Sequence, residues 1–223
     1  MSTARVIDFV VLVVLLAVAV RVVPAAWNIL RVYLGIKTRR LEDATSFSPA
    51  PPPAVTAVLA RLVTIGFRRI GERSLVLPGD QRRFEWNLVD EPTTTYIAVV
   101  PARTMPGSAL VAFYSAYADG AFVVTTFPTT ERVQRPDFDA APGAATIEDT
   151  ATLHRQRAAA FSRVHGPALQ NRSMADLLQR DDTYRRRHGG ATMKVRVYRF
   201  VALSAVLVLV AALELVRVVV IDG

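Results

Sequence analysis

Residues 109–127 read ALVAFYSAYADGAFVVTTF and contain the clearest fold signal in the chain. Two runs rich in β-branched and aromatic residues, Ala109–Ala118 and Ala121–Phe127, flank the dipeptide Asp119-Gly120. Aspartate and glycine tolerate the positive φ that the tight turn of a hairpin requires. The stretch therefore predicts two antiparallel strands joined at this dipeptide.

Further strand patterns precede the hairpin, at Ser74–Leu77, Phe84–Val89 and Thr95–Ala102. Short turns separate these segments, and strands joined by short turns must run antiparallel. The sequence therefore predicts a meander of four or five antiparallel strands.

Three segments have the apolar periodicity of helices and could cover one face of this sheet. Ala54–Ile65 precedes the strands, and a second helix should begin near Asp149. A third should follow Ser173, which resembles the first residue of a capping box completed by Asp176. Pro128–Glu148, rich in Pro, Ala and Asp, is expected to be a loop. The predicted fold class is α+β, an antiparallel meander covered by helices.

Apolar stretches near both ends of the sequence are typical of membrane helices. Val6–Val23 and Phe200–Ile221 both approach or exceed the roughly 20 apolar residues needed to cross a bilayer. A cleavable signal peptide is the alternative for the first stretch, although Arg21 interrupts it and residues 23–26, VPAA, form a poor cleavage site. We therefore expect the α+β domain to be inserted between two transmembrane helices.

The sequence divides into four segments on this interpretation. Residues 1–36 form the first transmembrane helix with an interfacial amphipathic part, and 37–53 form a tether whose prolines favour an extended chain. Residues 54–190 form the α+β domain. Residues 191–223 contain a basic juxtamembrane stretch and the second transmembrane helix.

Basic residues flanking the spans predict their orientation. They cluster on the domain side of both spans and are nearly absent from the other sides. Those before the second span are Arg185, Arg186, Arg187, Lys194, Arg196 and Arg199. The positive-inside rule then places the domain in the cytoplasm and both termini outside. The composition indicates a bacterial protein, so the predicted location is the inner (plasma) membrane. The same six residues are predicted to bind the anionic membrane surface.

Three charged residues lie within the predicted spans. Glu214 and Arg217 are three positions apart on one helix face and can pair. Asp8 would lie at a similar depth if the two helices are antiparallel. A cross-helix cluster is one hypothesis; an interfacial group that only anchors the helix ends, or a proton or ion path, are the alternatives.

The sequence contains no specific catalytic or cofactor motif. Cysteine is absent, which excludes disulfides and thiol chemistry. His154 and His165 would be about 16 Å apart along one helix, too far to hold one metal. We therefore predict neither a metal site nor a cofactor. The net charge of +8 is dispersed, so we predict no nucleic-acid binding.

His154 is the best acid–base candidate in the sequence. On the sheet-facing side of its helix it could meet Tyr114, Ser115 or Tyr117 from the central hairpin, although a packed structural histidine has the same pattern. Tyr114 is the second candidate.

The sequence favours a non-enzymatic, membrane-tethered module for interaction or complex assembly. Its expected partners are the bilayer and either another protein or a second copy of the chain. The alternatives are a lipid- or small-ligand-sensing domain and a hydrolase-like enzyme centred on His154.

Overall fold

The computed structural model describes residues 3–35, 40–76, 82–102, 107–128, 132–189 and 191–217. Residues 218–221, at the end of the predicted second span, lie outside these ranges. Within them the chain forms five helices: α1 (Thr3–Gly35), α2 (Pro53–Thr64), α3 (Ile147–His165), α4 (Met174–His188) and α5 (Ala191–Val216). The chain divides into two compact units. Met1–Ile36 and Met193–Gly223 form one, and Lys37–Thr192 forms the other.

Within the described ranges, eight strands of the second unit form one mixed sheet. They are β1 (Arg40–Asp43), β2 (Arg68–Val76), β3 (Arg82–Val89), β4 (Tyr96–Pro101), β5 (Ala109–Ala116), β6 (Phe122–Phe127), β7 (Val133–Arg135) and β8 (Phe138–Pro142). The first six are antiparallel neighbours in chain order, whereas β8 runs parallel to β6 and pairs with β7 at the edge. The α+β class is confirmed, but the sheet is larger than predicted and is not purely antiparallel.

Three of these strands lie where the sequence predicted none. β7 and β8 fall in the expected loop Pro128–Glu148, and β1 falls in the expected tether, residues 37–53. Strand β1 reads RLED and β8 reads FDAAP, so neither has the β-branched content that marks a strand. Pairing with β2 and β6 gives these segments their extended form, and that pairing cannot be read from local sequence.

The hairpin of β5 and β6 has the predicted turn. Gly120 has φ of +81°, a conformation that favours glycine. The amide of Gly120 donates to Tyr117 O at 3.0 Å, and the amide of Ala121 donates to Asp119 Oδ1 at 3.0 Å. The hairpin therefore supplies two central strands of the sheet.

Helices cover both faces of the sheet, not the single face that was predicted. α2 and α3 pack on one face over a large apolar core that includes Val55, Leu59, Leu62, Phe67, Trp86, Leu88, Ile97, Val99, Val111, Phe113 and Ile147. α4 packs on the other face, where Leu177 contacts Val89 and Tyr96. The capping box of α4 is confirmed, because Ser173 Oγ accepts from the Asp176 amide and the Asp176 carboxylate accepts from the Ser173 amide.

The first unit contains the apolar helices α1 and α5. One window of the described residues, Val13–Leu30 in α1, is long and apolar enough to cross a membrane, with a mean hydropathy of 2.1 and 6% of it buried. A signal sequence near an N-terminus has the same length and composition. The apolar part of α5, Val197–Leu213, is shorter, so the second span stays a prediction.

Candidate functional site

His154 lies between α3 and the sheet and is completely buried. Its Nε2 atom is 3.1 Å from Ser115 Oγ, and its Nδ1 atom is 2.9 Å from Thr125 Oγ1. Ser115 is on β5 and Thr125 is on β6, at positions whose side chains point toward α3. The structure therefore brings His154 to the central hairpin, as the sequence suggested.

This Ser–His contact resembles the pair of groups found in nucleophilic hydrolases, but its surroundings differ. Ser115, Thr125 and His154 are each 0% exposed, so no substrate reaches them in this conformation. Burial lowers the pKa of His154 to about 3, and the guanidinium groups of Arg157 and Arg155 add to this effect. A neutral imidazole of such low basicity is a poor general base. This geometry fits a structural connection between α3 and the hairpin.

Arg157 extends the same polar network to the edge of the sheet. Its Nη1 atom donates to Val124 O at 2.8 Å and to Thr125 Oγ1 at 2.5 Å. Its Nη2 atom lies 2.8 Å from Asp139 Oδ2 and 3.0 Å from Asp139 O. One arginine on α3 thus holds both β6 and β8, which explains how β8 is fixed despite its weak strand propensity.

Tyr114, the other predicted catalytic candidate, lies on the opposite face of the sheet from His154. Successive side chains of a strand point to opposite faces, so Ser115 faces α3 and Tyr114 faces α4. The Tyr114 ring stacks on Tyr96 with centroids 4.9 Å apart and meets Tyr184 of α4 edge to face at 5.6 Å. Burial raises the pKa of Tyr114 to about 12. The structure does not bring Tyr114 and His154 together.

A buried ion network fastens α4 to this second face. Arg73 on β2 pairs with Asp181 of α4, and its Nη2 atom is 2.8 Å from Glu85 Oε2 on β3. The Tyr96 hydroxyl donates to Asp181 Oδ1 at 3.0 Å. The side chains of Arg73 and Asp181 are each 5% exposed, and charges so deeply buried need such partners. This network has no signal in the sequence, because the paired residues are far apart in the chain and form no motif.

The β5–β6 turn contacts the C-terminal ends of two helices. Asp119 Oδ2 is 2.7 Å from His165 Nδ1 at the end of α3. At the end of α4, Arg187 donates to Asp119 O, and His188 Nε2 is 2.9 Å from Gly120 O. We call these five residues the turn clasp.

Three of the six residues predicted to bind the membrane surface are engaged within the domain. Arg185 is half-buried 3.5 Å from Asp182 Oδ1, and burial lowers its pKa. Arg186 Nε is 2.8 Å from Asp182 Oδ2. Arg187 belongs to the turn clasp. The Asp182 carboxylate offsets part of the charge of Arg185 and Arg186, whereas the contact of Arg187 with a backbone carbonyl leaves its charge unchanged.

The other three residues belong to α5. Lys194 and Arg199 are exposed, and Lys194 Nζ lies 5.8 Å from the centroid of the Tyr198 ring. The side chain of Arg196 lies outside the described part of the structure. The side chains of Asp8 and Glu214 do so as well, so their predicted cluster with the exposed Arg217 stays a prediction.

No family model, curated protein or solved structure matches this chain. The described residues also contain no group of three histidine, aspartate or glutamate side chains placed to hold a metal ion. Fold class alone does not specify function, so a function for this chain has to be inferred from its own sequence and structure.

Proposed function

We propose that this chain is a two-span protein of the inner (plasma) membrane whose cytoplasmic α+β domain is a non-enzymatic interaction or complex-assembly module. The observation that carries the proposal is the window Val13–Leu30, which is strongly apolar and has only 6% of its length buried. Apolar surface of this extent outside a core is typical of contact with a membrane or a partner.

The exposed face of α5 supports a second span. Leu203, Leu209 and Leu213 are 66%, 60% and 61% exposed. Each square ångström of such apolar surface costs roughly 25 cal/mol in water, a cost that the bilayer removes. The exposed Lys194 and Arg199, near the start of α5, fit an anionic cytoplasmic leaflet and so support the proposed orientation.

The buried polar side chains bind to one another within the domain, and this favours a non-enzymatic role. His154, Ser115 and Thr125 join α3 to the sheet, and Arg73 and Asp181 join α4 to it. Each of these groups is buried and has a partner within the domain.

The sheet edges give the domain a means of assembly. Among the described strands, β1 pairs only with β2 and β7 pairs only with β8. An edge strand presents unpaired backbone donors and acceptors, to which a strand from another chain can add. A protein partner or a second copy of this chain is the proposed contact.

The test is to purify the full chain from native membranes in mild detergent and measure the mass of the particle. After the mass of the bound detergent is subtracted, we expect a protein mass above the 24.4 kDa of one chain, from a second copy or a copurifying protein. Two variants separate edge pairing from general surface effects: Leu41→Lys on β1 and, as a control, Val63→Lys on the exposed surface of α2. Leu41→Lys should weaken association if β1 is the edge used.

A stable lone monomer would contradict the assembly role. Recovery of the chain in the soluble fraction without detergent would contradict the membrane anchor.

A further inference from the structure

His188, the last residue of α4, is held in one neutral tautomer by its neighbours. Its Nδ1 atom is 2.9 Å from Arg135 Nη2, and a guanidinium group can only donate. Nδ1 must therefore accept, which leaves the ring hydrogen on Nε2. Nε2 then donates to the carbonyl of Gly120, 2.9 Å away. The ring is 1% exposed and stacks on Phe138 with centroids 4.8 Å apart.

A second proton on this ring would break one of its two hydrogen bonds. The proton would occupy Nδ1 and point at the guanidinium of Arg135, so two cations would replace a donor–acceptor pair.

Charged groups around the ring act in both directions. Burial lowers the pKa of His188, whereas its bond to Gly120 O and the nearby carboxylate of Asp137 oppose that shift. Arg135 of β7 and Arg187 of α4 lower the pKa further. The other rings packed on it, from Phe122, Phe138 and Tyr184, carry no charge at neutral pH.

The other histidine of the turn clasp faces a carboxylate instead of a guanidinium. His165 Nδ1 lies 2.7 Å from Asp119 Oδ2, and this contact becomes an ion pair only when the imidazole is protonated. The same contact lowers the pKa of Asp119. The two histidines therefore differ in their neighbours: a proton on Nδ1 of His188 points at the Arg135 guanidinium, whereas Nδ1 of His165 faces a carboxylate.

We propose that His188 is a pH-sensitive device: its protonation breaks the contact of α4 with Arg135 of β7 and places a second cation in a buried site, which favours opening of the end of α4 while α3 stays in place. The release is a property of the unit Lys37–Thr192 and does not rest on the proposed function.

The first measurement is an NMR titration of the full chain in detergent micelles with ¹³C-labelled histidine. The sequence has three histidines, so the variants His165→Gln and His188→Gln assign all three signals. We expect His188 to be the Nε2–H tautomer at pH 7.5 and to titrate below about 6.5, the ordinary value for histidine.

The second measurement is hydrogen exchange of the same sample between pH 7.5 and 5, corrected for the intrinsic effect of pH. As the pH falls from the pKa of His188 in the unfolded chain to its lower pKa in the folded chain, the equilibrium constant for opening of residues 184–189 should rise by up to about tenfold for each pH unit. Residues 158–165 of α3 should keep their protection.

The two variants are matched controls. Glutamine at position 188 keeps an amide N–H for Gly120 O and a carbonyl for Arg135, but it does not titrate in this range, so His188→Gln should remove the pH response. His165→Gln should leave the response of residues 184–189 intact.

Two outcomes would overturn the proposal: pH-independent protection of residues 184–189 in the wild type, or an unchanged response in His188→Gln. If His188→Gln does not fold by circular dichroism, the wild-type titration decides, and a His188 midpoint at or above about 6.5 contradicts release. A chain that proves soluble removes the membrane anchor but leaves these results interpretable.

Discussion

His154 makes the stability of the domain depend on pH. Its pKa is lowered by burial to about 3 in the folded chain, against roughly 6.5 in an unfolded chain. Below pH 6.5 the unfolded chain therefore binds a proton that the folded chain does not. The free energy of unfolding should be unaffected by His154 above about pH 6.5 and should fall by about 1.4 kcal/mol per pH unit below it. Denaturant unfolding of the full chain at pH 7.5, 6 and 5 measures this slope.

The variant His154→Leu separates titration from packing. It removes the histidine partner of the Ser115 and Thr125 hydroxyl groups, although Thr125 Oγ1 still accepts from Arg157, and should lower the free energy of unfolding at pH 7.5 by about 2 kcal/mol. It should also remove the His154 share of the acid slope, while the share of His188 remains. A slope equal to that of the wild type would show that His154 is not held neutral.

The contacts of individual residues are only partly predictable from the sequence. The sequence allowed His154 to meet Tyr114, Ser115 or Tyr117 from the inner side of a predicted helix, and the structure places it against Ser115. Tyr114 and Ser115 are adjacent in a strand, so only one of them can face that helix. The sequence does not say which, because both faces of the sheet are covered and both residues are compatible with burial. The complete burial of the Ser115–His154 contact depends on how α3 packs on the sheet, and a local sequence pattern does not predict this either.

The elements were predictable where local chemistry fixes them. The turn at Gly120 and the capping box of Ser173 and Asp176 each depend on residues close in sequence, and both are present. Strand β8 depends on its parallel pairing with β6 and on Arg157 of α3. Those partners are distant in the chain, so the segment was mistaken for a loop.

Gly71 lies where the register between β2 and β3 shifts, at a position that leaves little room for a side chain. Its φ is +144°, and a Cβ atom there would lie 2.5 Å from Thr45 Oγ1 and 2.9 Å from Met174 Cγ. Gly71→Ala combines backbone strain with overpacking and should lower the free energy of unfolding by about 2 to 4 kcal/mol. Denaturant unfolding at pH 7.5 measures the loss.

Gly166 provides the matched control for this substitution. It also has a positive φ, +78°, but nothing lies within 4 Å of the position that a Cβ atom would occupy. With ψ of −169° as well, Gly166→Ala should cost only the backbone strain, about 1 to 3 kcal/mol. Equal losses in the two variants would mean that the contacts of Gly71 with Thr45 and Met174 do not constrain β2.

In the molecule as a whole, composition distinguishes the two units but does not assign a role to either of them. The apolar ends of the sequence are readily recognised, and Val13–Leu30 has the length and hydropathy of a span. Val197–Leu213 alone is shorter than a typical span, so the crossing of α5 requires an experiment.

The absence of cysteine makes the topology directly measurable. We would introduce one cysteine at a time, as Ser2→Cys, Gln179→Cys or Asp222→Cys, and label intact spheroplasts with a membrane-impermeant maleimide. We expect positions 2 and 222 to react, because the basic flanks keep the domain inside. Gln179, exposed on α4, should react only after the membrane is opened.

Each alternative topology gives a different labelling pattern. If α5 does not cross, position 222 is protected together with position 179. If the first apolar stretch is a cleaved signal, the label at position 2 is lost from the mature chain. If the orientation is reversed, position 179 reacts in intact spheroplasts and the cytoplasmic assembly role fails. The expected pattern requires both helices to cross, since one crossing would place the two termini on opposite sides of the bilayer.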